Sequence, residues 1–371
     1  MDDETDTTDE AMMRRALALA AQGRGLVSPN PMVGAVLVRD GRVVGEGWHD
    51  GPGNPHAEIH ALRAAGDLAR SATLYVTLEP CDHHGRTPPC TNAILDAGIT
   101  RVVAAGRDPN PAVDGRGFER LRAAGVEVNA GVLETEAERL NEAFAKHVRT
   151  GLPFVVLKMA ATLDGKVAAR DGSSRWITGE RARAEVHRMR GAADAILVGA
   201  GTALADDPSV TVRDPEYRGR PVLRVLADAG GRVPPTAKLF SEEAPTLVAT
   251  TEAAPEVRRR AWADTGAEVV VFDPAGAGVP LDALFAHLGK RDIQLVLMEG
   301  GPTLAWSAVR DGLVDRLVLF LAPKLVGGTG APGILGGEGL APIARALDVE
   351  IEDVALVGPD IKVEARVHRD R

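Results

Sequence analysis

The sequence predicts two consecutive α/β domains, and three observations carry that expectation. At 371 residues the chain is longer than one ordinary domain. Its hydrophobic share is 45% but aromatics supply only 4%, so Ala, Val, Leu and Gly must fill the interior, as they do in α/β layers. Strand-type and helix-type periodicities alternate along the chain, reach completion near residue 146 and start again at residue 154. The expected boundaries are residues 1–148 and 149–371. The first domain reads as a three-layer α/β/α sandwich, the second as an α/β domain with a larger sheet.

The elements of the first domain follow in order. Residues 1–10 are acidic and are expected to be disordered; residues 12–22, rich in Ala and Leu and closed by Gly23, predict a helix. Strands at 34–38 and 42–45 flank Asp40-Gly41, a hairpin signal. A helix over 57–65 ends at Gly66. Residues 73–78, β-branched and apolar, form a buried type of strand that runs straight into Glu79-Pro80-Cys81. Helices over 90–97, 117–124 and 134–146 alternate with strands over 101–105 and 126–128.

Arg149-Thr150-Gly151-Leu152-Pro153 reads as a linker. Beyond it, strands are expected at 154–159, 195–198, 222–226, 246–250, 269–272, 293–298 and 317–321. Helices are expected at 179–190, 281–288 and 302–310. Nothing relates the two halves as repeats.

Charge narrows the partners. A formal net charge of −9 argues against non-specific binding to nucleic acid or to an anionic membrane surface. Any anionic small molecule must therefore be held by a local cluster of Arg or Lys. The N-terminus lacks the basic-then-apolar pattern of a secretory signal, and no apolar run reaches the ~18 residues of a membrane span. Two cysteines that look like thiolate ligands favour a reducing cytosol.

Those cysteines carry the strongest chemical signal. His56-Ala57-Glu58 precedes Pro80-Cys81 and Cys90, and there is no further cysteine. A disulfide would explain the cysteines but not the His-x-Glu. A Zn²⁺ site explains all of it: one imidazole and two thiolates bind the metal, and a fourth position stays open for water. The non-ligating Glu58 then moves protons. His-x-Glu followed by Pro-Cys-x-x-Cys is the pattern of zinc-dependent base deaminases, although here eight residues separate the cysteines. A metalloprotease pattern fails, because His56-Ala57-Glu58-Ile59-His60 has its Glu one place too late. His60, His83 and His84 remain spare ligand candidates; otherwise His60 is a helix-face residue while His83 and His84 line the pocket.

Three runs make the chain recognisable. Ser28-Pro29-Asn30-Pro31-Met32-Val33-Gly34, His56-Ala57-Glu58, and Thr77-Leu78-Glu79-Pro80-Cys81 continued by Asp82-His83-His84-Gly85-Arg86-Thr87-Pro88-Pro89-Cys90 closely resemble one family. It is the bifunctional riboflavin-biosynthesis deaminase/reductase family, and the match is to its deaminase half. Asp108-Pro109-Asn110-Pro111 and Gly115-Arg116-Gly117 continue it. The resemblance implies a cytidine-deaminase-like fold and one Zn²⁺ per chain. It also implies a substrate that is a diaminopyrimidinone carrying a ribosylamino phosphate, whose ring amino group is hydrolysed to a carbonyl. Asn30 would hydrogen-bond that base or ribose, or else satisfy its own turn.

The second half has no G-x-G-x-x-G opening a βαβ unit. It has instead Lys158 to Lys166, Ser174-Arg175-Trp176-Ile177-Thr178, Gly199-Ala200-Gly201-Thr202, Asp206 to Arg213, and Glu299-Gly300-Gly301-Pro302-Thr303-Leu304. Gly300-Gly301 alone could be an ordinary strand-to-helix turn. As a series, the runs resemble the reductase half of the same family, with a dihydrofolate-reductase-like fold and NADPH as cofactor. By that resemblance Ala160, Trp176, Thr202, Asp206 and the loop Gly301, Pro302, Thr303, Leu304, Ala305, Trp306 and Ser307 contact NADPH. Ser174, Arg190, Val210, Arg213 and Glu299 contact the substrate, with Arg190 and Arg213 supplying local positive charge. Lys158 and Asp164 either line the site or form a structural pair. Thr162 stands where Ser is usual and keeps the hydroxyl, whereas Ala229 after Asp228 replaces a common Ser and loses one. The family usually forms dimers or higher oligomers through this half. The competing reading is a nucleic-acid or nucleoside deaminase with a non-enzymatic binding module. Net acidity and the lack of a basic, aromatic stripe weigh against it.

Overall fold

The first helix, α1 (Asp3–Ala20), begins well before the expected residue 12. Asp9 accounts for the difference. Its carboxylate is 3% exposed and accepts the Tyr75 hydroxyl at 2.8 Å and the Arg101 guanidinium at 2.7 and 2.9 Å. An acidic segment that looks unstructured in isolation is thus docked by one buried ion pair. A computed structural model of the protein describes residues 3–82, 88–110, 114–274, 276 and 278–367. The chain divides into two units, Met1–Gly151 and Leu152–Arg371.

In the first unit, β1 (Gly34–Arg39) and β2 (Arg42–Trp48) form the expected hairpin, with Asp40 and Gly41 both at positive φ. Then come α2 (Ala57–Ala65), β3 (Thr73–Val76), α3 (Cys90–Asp96), β4 (Arg101–Ala104), α4 (Arg116–Ala123) and β5 (Glu127–Ala130). Among the described residues the sheet order is β2-β1-β3-β4-β5, with β3, β4 and β5 parallel. The expected last helix is two: α5 (Glu134–Leu140) and α6 (Glu142–Thr150). They break at Asn141, whose side chain accepts from Met32 N at 2.8 Å and donates to Met32 O at 2.9 Å. The helix α6 therefore occupies the start of the expected linker.

Alternation of side chains across the sheet makes the three layers. Leu37, Leu74, Val76 and Val102 pack under α2, α3 and α4, while Val36, Tyr75 and Val103 pack under α1 and α5. Glycines bring α2 close: a Cβ on Gly45 would lie 2.3 Å from Ala61 O, and one on Gly47 2.7 Å from Ala57 O. That contact presses the start of α2, and with it His56, onto β2.

The second unit contains β6 (Phe154–Thr162), α7 (Glu180–Ala192), β7 (Ala195–Gly199), α8 (Ala200–Asp206), β8 (Leu223–Ala227) and β9 (Thr246–Thr251). It continues with α9 (Glu256–Ala263), β10 (Glu268–Phe272), α10 (Leu281–Gly289), β11 (Leu295–Met298), α11 (Pro302–Arg310) and β12 (Arg316–Ala322). It closes with β13 (Val349–Val357) and β14 (Asp360–Val367). The sheet order is β10-β9-β8-β7-β11-β6-β12-β14-β13, parallel as far as β12 and antiparallel after it. The α/β architecture is the expected one, but α8, α9 and the β13–β14 hairpin lie outside the expected elements. The hairpin's signal is alternation broken once, by the register shift between Ile351 and Asp353; beyond it Val354 pairs with Val363 and Leu356 with Ile361 on one face. On β13 that face is open, with Ile351 62%, Val354 58% and Leu356 77% exposed. Among the described residues no helix is long and apolar enough to cross a membrane.

If Asp9 docks the N-terminal segment, Asp9→Ala should destabilise the first unit by about 2 kcal/mol, because a partly buried Arg101 loses its buried, bidentate partner and keeps only the exposed Glu127. Urea unfolding measures this; a disordered segment would give no change.

Candidate active sites

The first site gathers where α2 and α3 begin. His56 is the N-cap of α2, Glu58 lies in its first turn, and Cys90 is the first residue of α3. His56 Nδ1 lies 3.2 Å from Cys90 Sγ and 3.6 Å from Cys81 Sγ. All three donor atoms fall within 4.8 Å of one another. Ligand atoms bound tetrahedrally at ordinary Zn–N and Zn–S lengths are separated by roughly 3.5 Å, so the spacing fits. The donor set fits too: a borderline-soft cation with one imidazole and two thiolates. The wider cysteine spacing is accommodated because Cys90 N donates to Cys81 Sγ at 3.4 Å.

Electrostatics support a cation here. Hydrogen bonds from Cys90 and His56 push the Cys81 thiol down, and that thiolate together with burial pushes Cys90 up. His56 is raised, first by its bond to Cys81. Burial, helped by the Cys81 charge, raises the Glu58 carboxyl to about 6. Glu58 is 3% exposed and stands outside the three-donor cluster, as expected of a proton carrier. His60 also lies outside it, facing Asp50 at 3.6 Å. His83 and His84 lie outside the described residues.

Asn30 joins this site through a residue the sequence analysis passed over. Its Nδ2 lies 2.9 Å from His49 Nε2, and His49 Nδ1 lies 3.1 Å from Pro55 O. A carbonyl only accepts, so Nδ1 carries the proton and Nε2 receives the Asn30 amide. The His49 ring stands edge-on to His56, 5.6 Å between centroids. Asn30 is therefore engaged with the metal-ligand neighbourhood and not only with its turn. No spacing rule could have singled out His49, which follows Trp48 at the end of β2.

The second site lies at the carboxyl ends of parallel strands β6, β7 and β11, where open α/β sheets bind ligands. Glu299, just after β11, accepts Arg190 Nε at 2.6 Å and Nη2 at 3.1 Å. Arg190 Nη1 donates to Thr211 O at 3.0 Å. Lys158 Nζ lies 3.8 Å from Glu299, and burial pushes its ammonium pKa down. Two expectations change. Arg190 is a neutralised, fork-bound partner of Glu299 and not a free positive charge. Lys158 pairs with Glu299, whereas Asp164 accepts from Thr162 Oγ1 at 2.5 Å and Gly327 N at 2.6 Å.

Arg213 keeps its charge available: its side chain is exposed, and among the described residues its guanidinium makes no ion pair, while its backbone N donates to His187 Nδ1 at 3.1 Å. Val210, between these groups, is buried at φ 52°, a conformation β-branched residues rarely adopt. Ser174 Oγ reaches Asp206 Oδ1 at 3.4 Å, and Arg175 bonds Asp206 O, which closes the end of α8. Trp176 is 63% exposed under the Arg183 guanidinium, 4.7 Å from the ring centroid. Ala160 lies on β6 and Thr202 on α8, where Thr202 Oγ1 faces Gly301.

The run Gly301 to Ser307 is not a loop. Gly301 is the N-cap of α11, and Pro302 to Ser307 are helical. Ala305 is fully buried in the core, and Leu304 packs against Gly199 and Gly300, so neither is placed as a loop contact would be. What the segment offers a ligand is the first-turn N–H groups of α11 and the approach that Gly301 permits.

Known proteins match both units of the chain. Residues 153–363 match the family described as the RibD C-terminal domain, and residues 6–106 match the cytidine and deoxycytidylate deaminase zinc-binding region. The riboflavin biosynthesis protein RibD of Escherichia coli is 44% identical over 364 residues, covering 95% of this chain and 98% of that protein. The solved structure of Acinetobacter baumannii RibD superposes with a TM-score of 0.87 at 38% identity, over 98% of this chain and all of that one. The diaminohydroxyphosphoribosylaminopyrimidine deaminase/5-amino-6-(5-phosphoribosylamino)uracil reductase of Thermotoga maritima gives a TM-score of 0.86 at 39% identity, over 98% and 100%. With curated relatives and solved structures spanning nearly its whole length, the chain belongs to the RibD family of bifunctional riboflavin-biosynthesis enzymes, a deaminase followed by a reductase.

Proposed function

We propose that the first unit hydrolyses the ring amino group of a diaminopyrimidinone ribosylamino 5′-phosphate, and that the second reduces the ribosyl group of the product to ribityl with NADPH. The observation that carries this reading is the convergence of His56, Cys81 and Cys90 beside a buried Glu58. His56 Nδ1 and the two thiolates would hold one Zn²⁺, which would supply the acidification of water needed near neutral pH. Glu58 is placed to take a proton from water and to deliver it to the leaving amine as the C–N bond breaks. A carboxyl raised to about 6 suits both halves of the transfer. Asn30, oriented by His49, supplies a polar contact to the base or ribose.

In the second unit NADPH, when bound, would supply the hydride that reduces the anomeric carbon. The first turn of α11 at Gly301 would hold a cofactor phosphate beside Thr202 Oγ1, with Asp206, Trp176 and Ala160 as the further cofactor contacts. Arg213 holds the substrate phosphate, and the Arg190–Glu299–Lys158 cluster shapes the floor beneath Val210 and Ser174. Orientation carries most of this step, since little acid–base chemistry is needed. The enzyme works in the cytosol.

The open face of β13 fits the oligomer that the family resemblance implies. Contiguous exposed apolar side chains on one sheet face are uncommon on a monomer, and a second copy of this chain offers the same surface in return. Ile351→Lys combined with Leu356→Glu should lower the solution mass measured by light scattering to that of a single chain. An unchanged oligomer would remove this face from the interface.

Ammonia release and NADPH absorbance, followed on the diaminopyrimidine phosphate, test the two activities together. Cys81→Ser should lose the metal and deamination but still oxidise NADPH with the deaminated intermediate; full zinc content in that variant would sink the ligand assignment. Glu58→Gln should keep zinc and slow deamination by roughly 10²–10⁴. Arg213→Lys keeps the charge but loses the planar fork, and should weaken substrate binding by about 1–3 kcal/mol with NADPH affinity unchanged. The reverse pattern would make Arg213 a cofactor contact.

A further inference from the structure

Cys81 is flanked in the chain by two carboxylates, Glu79 and Asp82, that both reach α4 or the segment leading into it. Glu79, two residues before it, is 4% exposed. Its Oε1 accepts Gly117 N at 2.9 Å and Phe118 N at 3.3 Å, and its Oε2 accepts Gly115 N at 2.9 Å and Asp108 N at 3.3 Å. All four donors belong to α4 or to the segment leading into it. One residue after Cys81, Asp82 Oδ1 accepts Arg120 Nη1 of α4 at 2.7 Å and Thr91 Oγ1 of α3 at 2.7 Å. Between the two, a Cβ on Gly117 would lie 2.0 Å from Pro80 O, so the first turn of α4 rests directly on the Pro80 carbonyl.

The four residues 79–82 are thus fastened to α4 at three points, and the middle of that stretch carries a metal-ligating sulfur. The Glu79 carboxylate makes none of these bonds to the strand before it; each of the four crosses to Asp108, Gly115, Gly117 or Phe118. A carboxylate offers two acceptor oxygens, and here each takes two of the four N–H groups, Oε1 from Gly117 and Phe118 and Oε2 from Gly115 and Asp108.

We infer that Glu79 is a positioning residue of the metal centre: together with Asp82–Arg120 it clamps residues 79–82 to α4 and thereby sets Cys81 Sγ relative to Cys90 and His56. The inference rests on the zinc reading proposed above. A plain helix cap would also use these four bonds, but it would stabilise α4 without affecting the metal.

The full-length protein separates the two. Zinc affinity is measured by competition with a chelator, and the site is read again after Co²⁺ substitution through the ligand-field and thiolate charge-transfer bands. In Glu79→Gln one of the two acceptor atoms becomes an NH₂ facing N–H donors. Zinc affinity should then fall about 10–100-fold, the range seen when partners of metal ligands are removed, and the Co²⁺ bands should shift. NADPH oxidation with the deaminated intermediate should be unchanged. Leu121→Ala, which removes a fully buried α4 side chain outside the clamp, should lower thermal stability while leaving the metal affinity and the Co²⁺ spectrum near wild type. Arg120→Met loosens the clamp from the exposed side and should act in the same direction as Glu79→Gln, so the idea stays testable if the buried variant folds poorly. Unchanged affinity and spectrum in Glu79→Gln, or losses in all three variants that simply track stability, would make Glu79 a structural cap. A wild-type protein that binds neither Zn²⁺ nor Co²⁺ would instead overturn the zinc reading itself.

Discussion

Two thiols and a carboxylate share one buried pocket in the first unit, and the low dielectric there cannot hold all three ionised without a cation. Much of that unit follows from this constraint. Cys81 and Cys90 are already unlike in acidity, one pulled down and the other pushed up by its neighbour, because a single negative charge is all that His56 and the backbone N–H groups accommodate. A divalent metal would permit the second thiolate. Glu58 lies outside the three-donor set, and burial raises its carboxyl to about 6, which under the proposed function suits taking and giving a proton. The same buried position that makes the carboxylate costly makes it useful.

The second unit meets the opposite problem. In an acidic protein, the proposed substrate phosphate would need local positive charge, and Lys158, Arg190 and Arg213 are the candidates. Two of these are committed to the buried Glu299: Arg190 by a bidentate fork and Lys158 across 3.8 Å. A buried ion pair gains little net stability over apolar packing, but it holds groups in register. Here it ties β6, the residue after β11 and α7 together, while Arg213 is exposed and makes no ion pair among the described residues. Val210, forced to positive φ beside it, is the local backbone strain that such a site tolerates.

Close backbone packing places these groups. Gly45 and Gly47 let α2 settle on β2, and Gly117 lets α4 rest on Pro80 O. Each contact removes the space a methyl group would need, and each lies within a few residues of a site side chain. The chemistry is exposed to errors of an ångström, so it is carried on helix starts that cannot move independently of the sheet.

Local pattern was enough for the elements whose signal is local. The Asp40-Gly41 hairpin, the helix over 57–65, the buried strand ahead of Pro80 and the alternation of two α/β domains are all legible, because turn chemistry and side-chain period are properties of neighbouring residues. The His56, Glu58, Cys81 and Cys90 set is legible for a related reason: metal chemistry restricts residue types severely, and few other arrangements explain all four. Tertiary contact decided the rest. Asp9 makes a helix of an acidic terminus only because Arg101 and Tyr75 lie 66 or more positions away in sequence and adjacent in space. Arg190 is neutral in effect only because Glu299 meets it, and Lys158 chose Glu299 over the nearer Asp164. His49 and Glu79 are unremarkable as letters; their roles come from Asn30 and from the backbone N–H groups of Asp108, Gly115, Gly117 and Phe118. Residue type and spacing determine what chemistry a chain can perform, but which charges remain free, and which way a ligand atom points, depends on partners that only folding brings within 3 Å.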